Sequence, residues 1–308
     1  MGTADIAVPL LKTLATESGI ELTAVVSQPD RPKGRKLKLQ PTPVKAAAEE
    51  SDLPVYQPEK CRAPEFLDQL RDWAPDIIVV MAYGQILPAA LLEIPRYGCL
   101  NVHTSILPRY RGAAPIQWAI WNGDAETGVT IMKMDAGMDT GAIVAVARTP
   151  IGPADDAPSV HERLGEMGAR LMAETLPEFV AGRIRLQPQD DSLATLARKI
   201  SKEDGRLDWG KPAPELWNQV RALTPWPGTY CRWKVDDETT LLKIWRAEPV
   251  AGPAVDPGQV MKADREGLVV TCGEGCLRIL ELQKQGGKRL AVRDFLAGNR
   301  LSPGTRLG

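Results

Sequence analysis

Asn101 and His103 stand two residues apart in the run Asn101-Val102-His103-Thr104-Ser105-Ile106-Leu107-Pro108-Arg109-Tyr110-Arg111-Gly112-Ala113-Ala114-Pro115. On an extended chain, residues two apart project to the same face. An amide placed there can donate to a developing oxyanion, and an imidazole is the side chain best suited to exchange a proton near neutral pH. Asp139, in the loop Asp135-Ala136-Gly137-Met138-Asp139-Thr140-Gly141, supplies a carboxylate able to orient that imidazole or stabilise its charge. By residue type alone, a satisfied histidine among ordinary turn residues is the simpler reading.

The elements that must carry these groups are legible in the hydrophobic pattern. Gly98-Cys99-Leu100 reads as a short buried strand leading into Asn101, and Pro108, Gly112 and Pro115 delay any helix until about Ile116 to Trp121. Asp76 to Met81 is a continuous apolar run of the kind buried on both faces of a parallel sheet, and it ends in Ala82-Tyr83-Gly84-Gln85-Ile86-Leu87-Pro88. Helical spacing over residues 5 to 16, a strand from Ile20 to Val26, and helices at 43 to 50 and 65 to 73 complete a strand–helix alternation. That alternation predicts an α/β fold with a doubly wound, mostly parallel, Rossmann-like sheet, with ligands at the carboxyl ends of its strands. Tyr83 to Leu87 and Asn101 to His103 are two such ends.

Further along, Thr127 to Met134 and Ala142 to Val146 read as strands flanking the Asp139 loop. Ser159 with Glu162 forms a capping-box pattern for a helix reaching about Ala181, which places His161 in its first turn as a surface residue. From there the pattern changes. Residues 183–205 read as a connecting segment with a short helix over Ser192 to Ser201, and Glu215 to Leu223 as another helix. Five strands near 229–234, 240–247, 257–263, 267–272 and 276–283 suggest a small β-barrel resembling an OB-fold. The expected division is therefore 1–182, a link over 183–205, and 206–308.

At 308 residues the chain is long enough for two domains, and its 25% charged and 44% hydrophobic residues exclude global disorder. The net charge of −1 conceals an asymmetry: residues 1–205 carry 22 Lys and Arg against 27 Asp and Glu, while 206–308 carry 16 against 12. Five cysteines with mostly isolated spacing suit reduced thiols in a cytoplasm. Cys272 and Cys276 enclose a Gly-Glu-Gly hairpin turn and lack a second pair, so no metal is expected. Neither a membrane-length apolar run nor a signal peptide is visible. The segment Pro29 to Lys45 concentrates Arg31, Lys33, Arg35, Lys36, Lys38 and Lys45 against one acid, Asp30. A solvated loop and a phosphate-contacting loop both fit that charge run.

The run Asn101 to Pro115, with Gly128-Val129-Thr130-Ile131 and Met138-Asp139-Thr140-Gly141, closely resembles the folate-dependent formyltransferases, particularly the branch acting on methionyl-tRNA. The resemblance implies formyl transfer from 10-formyltetrahydrofolate to the amine of methionine on initiator tRNA, without a metal, by a cytoplasmic monomer. It implies catalytic roles for Asn101, His103 and Asp139, and folate contacts from Ser105, Ile106, Leu107, Pro108, Tyr83, Gln85 and Ile86. Gln28-Pro29-Asp30-Arg31-Pro32 with Gly34-Arg35 is similar to the family's tRNA-acceptor loop, implying tRNA contacts by Arg31, Lys33, Arg35, Lys36 and Lys38. Lys199 to Asp204 and Pro225-Trp226-Pro227 are similar to its linker and the start of its C-terminal barrel. Two other functions are consistent with parts of this pattern: a formyltransferase or formyl-folate hydrolase acting on small molecules, and a catalytically idle tRNA-binding module. The family pattern also has a short apolar strand before the Met1-Gly2-Thr3 seen here, so the expectation is an internal-methionine start with a sheet neighbour missing.

Overall fold

The computed structural model describes residues 1–33, 38–235, 238–253, 256–299 and 301–308. The chain divides into two compact units: Met1–Pro115 with Glu126–Pro150 and His161–Ala197, and Ile116–Ala125 with Ile151–Val160 and Arg198–Gly308. In chain order the elements up to the connecting segment are α1 (Val8–Thr16), β1 (Val25–Val26), β2 (Arg31–Lys33), β3 (Lys38–Gln40), α2 (Pro43–Glu49), β4 (Val55–Tyr56), α3 (Pro64–Trp73), β5 (Ile78–Val80), α4 (Ala89–Leu92), β6 (Cys99–His103), β7 (Arg111–Gly112), α5 (Pro115–Trp121), β8 (Glu126–Lys133), β9 (Ile143–Pro150) and α6 (Ala157–Val180). After them come β10 (Leu196–Ala197), α7 (Ala213–Leu223), β11 (Thr229–Val235), β12 (Glu238–Val250), β13 (Val260–Asp264), β14 (Gly267–Thr271), β15 (Cys276–Lys284), β16 (Leu290–Ala291) and α8 (Val292–Gly298).

The first unit is mixed α/β, built around β6. Its pattern of burial, with Cys99, Leu100, Val102 and His103 inside, is that of a central strand covered on both faces. β6 pairs in parallel with β5, through Val80 and Asn101, and antiparallel with β8, through His103 and Thr130. β8 and β9 are also antiparallel. β1 and β4 pair in parallel, as do Gly2 and Met81, so the parallel pairing expected holds on that side, while β8 runs antiparallel to both β6 and β9 and makes the sheet mixed; the short loop 134–142 returns the chain directly from β8 to β9 without a crossover helix. The helices follow the apolar spacing: Ile6, Ala7, Leu10 and Leu14 bury one face of the opening helical segment, and Phe66 and Leu70 one face of α3. Thr42 accepts from the Lys45 N–H to start α2, satisfying a donor that has no partner within the helix.

Several local expectations give way to the fold. The strand at Ile20 to Val26 contracts to β1. Residues 192–201 form no α-helix: a single 3-10 turn, Asp191–Leu193, is followed by β10, which pairs in parallel with β7. The start of α6 is capped by Asp156 and Ser159, each accepting from the other's backbone N–H at 3.0 Å, instead of by Ser159 with Glu162. His161 lies 3.3 Å from Asp5 and is a third exposed.

Between β1 and β5, Met1 and Gly2 occupy a sheet position. The Met1 amine donates to the Val79 carbonyl (2.6 Å), Met81 N–H donates to Met1 O (3.0 Å), and Gly2 N–H donates to Val26 O (2.9 Å). A cavity of about 940 Å³ extends from Met1, lined by the apolar groups of Leu10, Leu14, Val25, Ile78 and Trp73 among others.

The second unit is dominated by a β-sheet in the order β11-β12-β15-β14-β13, antiparallel throughout, with β16 pairing β15. Leu216 and Val220, one helical turn apart on α7, join Trp233, Ile244, Leu277 and Phe295 in its core. Full burial of such side chains is worth roughly 1.5–3 kcal/mol each. Cys272 and Cys276 lie at either end of the turn joining β14 to β15; both are buried free thiols, and burial pushes Cys272 up to about 12. The last residues run between two strands: Gly308 N–H donates to Arg232 O (2.9 Å) on β11, while Val260 N–H on β13 donates to Thr305 O (2.8 Å). Among the described residues, no helix is long and apolar enough to cross a membrane.

Candidate active site

β6 delivers Asn101 half-buried and His103 buried, on one face of the strand. The imidazole is held at both nitrogens. Nε2 lies 2.9 Å from the Tyr110 carbonyl, and Nδ1 lies 3.6 Å from Oδ2 of Asp139. A carbonyl oxygen can only accept, so Nε2 carries the proton in the neutral ring and Nδ1 is the nitrogen that gains or loses one. That nitrogen faces the carboxylate. The Asn101 side chain makes no hydrogen bond to another described residue, which leaves its amide available to a bound group.

Asp139 is placed by backbone geometry that few residues adopt. Its φ of 55° lies in the left-handed region, where aspartate is tolerated better than bulkier residues. Its Oδ2 accepts from the Gly112 N–H at 2.8 Å. Gly112 has φ 118°, and a Cβ there would stand 2.8 Å from the Ala197 carbonyl, so both conformation and space demand glycine. The loop after His103 therefore returns, through Gly112, to hold the carboxylate opposite the ring.

The segment between is tied down by hydrogen bonds. Ser105 is wholly buried and its hydroxyl donates to Arg109 O (2.6 Å). Thr130, on β8 opposite His103, donates to Ser105 O (2.7 Å) and accepts from Leu107 N–H (3.1 Å). Ile106 packs against Gly128, where a Cβ would meet the isoleucine side chain at 3.1 Å and the Ala147 carbonyl closer still. Leu107 is buried and Pro108 half-buried.

Of the other expected folate residues, Tyr83 is buried, and its hydroxyl has no partner among the described residues. Burial pushes that phenol upward. Its carbonyl accepts from Thr3 Oγ1 (2.7 Å) and Gln28 Nε2 (2.8 Å). Gln85 accepts from the Cys61 N–H (2.9 Å) and donates to Glu59 O (3.3 Å), while Ile86 is 91% exposed. In the basic segment, Arg31 and Lys33 lie on β2 and Lys38 on β3, two short strands that pair antiparallel. Arg35 and Lys36 lie outside the described residues. Asp30 at its base binds Lys45 Nζ (2.7 Å) and Gln57 Nε2 (2.6 Å), and these hydrogen bonds hold its carboxyl below the usual range.

Residue spacing pointed to none of four further contributors. Thr130, Arg111, Gln189 and Thr195 fix the loops that carry His103 and Asp139; Thr195 Oγ1 accepts from Tyr110 N–H (2.8 Å). Arg111 and Thr130 lay within motifs already quoted, whereas Gln189 and Thr195 sit in a polar stretch whose composition says only that it connects.

Comparison with known proteins agrees with this architecture. Residues 1–176 match the model of the formyl transferase family, and residues 199–300 that of the formyl transferase C-terminal domain. A methionyl-tRNA formyltransferase of Geobacter sulfurreducens is 53% identical across the whole of this chain and 95% of its own, and one of Geobacillus thermodenitrificans is 45% identical across the whole chain and 96% of its own. Among solved structures, the N-formyltransferase of Helicobacter canadensis, determined with folinic acid and dTDP-3-aminofucose, aligns over 94% of this chain and 97% of its own with TM-score 0.65. At 17% identity it speaks to the fold alone. The chain belongs to the formyl transferase family and, within it, to the methionyl-tRNA formyltransferases.

Proposed function

We propose that this protein transfers the formyl group of 10-formyltetrahydrofolate to the α-amine of methionyl initiator tRNA, with Asn101, His103 and Asp139 as its catalytic residues. The observation that carries the assignment of residues is the convergence of Asn101 and His103 on one strand face with Asp139 opposite the ring at 3.6 Å. The formyl donor supplies an electrophilic carbonyl carbon and a nitrogen leaving group.

The chain's own groups do the rest. Asn101 donates its amide N–H to the formyl oxygen as the methionyl amine adds to the carbon, and His103, protonated at Nδ1, adds positive charge beside the developing oxyanion. Asp139 stabilises that imidazolium and, with the ring, relays the proton lost by the attacking amine towards the departing nitrogen. The C–N bond to the amine forms, the C–N bond to the donor breaks, and one proton moves between the two nitrogens. No step calls for a metal.

Ser105, Ile106, Leu107 and Pro108 form one wall for the donor, and Tyr83, Gln85 and Ile86 the other. The buried Ser105 hydroxyl and the occupied Gln85 amide direct this reading towards backbone groups and towards the apolar Ile86 and Ile106 side chains. For the tRNA, Arg31, Lys33, Arg35, Lys36 and Lys38 contact the acceptor-arm phosphates. Residues 1–182 carry the chemistry, 183–205 connect, and 206–308 bind tRNA as an OB-like barrel, a reading supported by the bonds of the terminal residues to both β11 and β13. The protein acts as a monomer in the cytoplasm, where its five cysteines stay reduced. The deciding assay is transfer of labelled formyl from 10-formyltetrahydrofolate to charged initiator tRNA, with sugar-nucleotide and no-acceptor controls. Label on the sugar nucleotide, or release without tRNA, would overturn the assignment of acceptor.

A further inference from the structure

Gln189 stands 50 residues beyond Asp139 in the chain, yet its amide closes on the backbone of the Asp139 loop. Nε2 donates to Asp139 O (2.8 Å) and to Gly141 O (2.7 Å). Oε1 accepts two N–H groups of Arg111, from Nε (3.0 Å) and from an NH2 nitrogen (2.7 Å). A guanidinium only donates and carbonyls only accept, so the orientation of the amide follows from its partners. Arg111 is itself buried, and its remaining contact, Asp191 Oδ1 at 2.7 Å, is on the same connecting segment.

We propose that Gln189, oriented by Arg111, is a positioning residue for the formyl-transfer reaction, holding Asp139 where its carboxylate faces His103. The proposal rests on the assignment of Asp139 as catalytic. Its physical basis is the conformation of Asp139: a left-handed residue other than glycine lies above the right-handed alternative in energy, and external bonds hold it there. Gln189 provides two such bonds, one to the peptide unit of Asp139 itself. From the other side, Arg111 N–H donates to Thr195 O (2.8 Å) and Gly112 N–H to Asp139 Oδ2 (2.8 Å). Residues 187–197 are thereby bonded both to the loop of His103 and to the loop of Asp139, with Gln187 and Ile143 exchanging backbone bonds at 2.8 and 2.9 Å. The stretch that sequence composition presents as a link is part of the scaffold of the reacting groups.

Gln189→Glu isolates the donor side. It preserves size and the pairing with Arg111, but sets carboxylate oxygens against two carbonyl oxygens. The expected result is a fall in kcat of about 10- to 100-fold, as for displacement of a catalytic group by about 1 Å, with KM for formyl donor and tRNA within about threefold of the parent. Because the effect runs through Asp139, the double variant Gln189→Glu with Asp139→Asn should be no slower than Asp139→Asn alone. If Gln189→Glu does not fold, Arg111→Lys examines the same contacts from the other end. It keeps a charge near Asp191 and loses the two-point grip on Oε1, and it too should lower kcat, leave KM unchanged and add nothing to Asp139→Asn. A folded variant with parental kcat, or losses that multiply with Asp139→Asn, would overturn the positioning role. An Asp139→Asn enzyme with parental kcat would instead overturn the catalytic reading on which it rests.

Discussion

Thr130 links the sheet to the Ser105–Pro108 loop through a single hydroxyl, and Thr130→Val removes that oxygen while keeping the shape of the side chain. Two backbone groups lose their partner: Ser105 O, which accepts from the hydroxyl at 2.7 Å, and Leu107 N–H, which donates to it at 3.1 Å. Thr130 and Ser105 are wholly buried, so water does not readily replace the lost partner. Each orphaned group costs roughly 1–3 kcal/mol, and the added methyl returns roughly 0.8 kcal/mol. The net expectation is a destabilisation of about 1–5 kcal/mol for the two groups together. In a unit of this size that lowers Tm by roughly 2–20 °C. Because the Ser105–Pro108 loop is the proposed wall of the donor site, KM for 10-formyltetrahydrofolate should rise more than KM for tRNA. Thr130→Ser, which keeps the oxygen and loses the methyl, should fall by only about 1 kcal/mol. Thermal denaturation with steady-state kinetics on the pair decides the matter. A Thr130→Val protein that melts within about 1 °C of the parent, or less perturbed than Thr130→Ser, would refute the reasoning.

Asn101→Ala should lower kcat by about 10²- to 10³-fold, the usual effect of losing one oxyanion donor, with donor binding by equilibrium titration little changed. Arg35→Ala should weaken tRNA binding and reduce the slope of log K against log salt by about one unit, which a salt titration of tRNA affinity measures directly. Asp204 accepts two N–H groups of Arg198 at 2.6 and 2.8 Å and the Ser201 N–H at 2.7 Å, and Arg198 above all draws its carboxyl down to about 2. With the folded value below the unfolded one, this pairing stabilises the protein above about pH 4 and ceases to do so as pH falls towards about 2. Its contribution is on the order of 1 kcal/mol once solvent screening is allowed for. The Tm gap between parent and Asp204→Asn should therefore be present at neutral pH and close progressively below about pH 4.

Local pattern was sufficient for groups whose placement depends on one strand or helix. Asn101 and His103 share a face because the period of an extended chain is two, and Leu10 and Leu14 share one because they stand a helical turn apart. Pairing direction was less accessible: β8 and β9 are rich in apolar and β-branched residues whichever way they run, and only the seven-residue loop around Asp139 argued for an antiparallel return. The contracted β1 and the strand β10 show the same limit, since two-residue strands are decided by which partner edge is free and not by their own propensity. The site divides along the same line. His103 and Asp139 carry chemistry in their side-chain types, so their candidacy could be read before their distance was known. Gln189 carries none, and its importance comes from the bonding capacity of a primary amide with two donors and an acceptor. Such an amide matters only where a buried guanidinium and two loop carbonyls converge on it. A residue of that kind is found by asking where the backbone groups of a strained loop find their partners, and at Asp139 that question leads across fifty residues into the connecting segment.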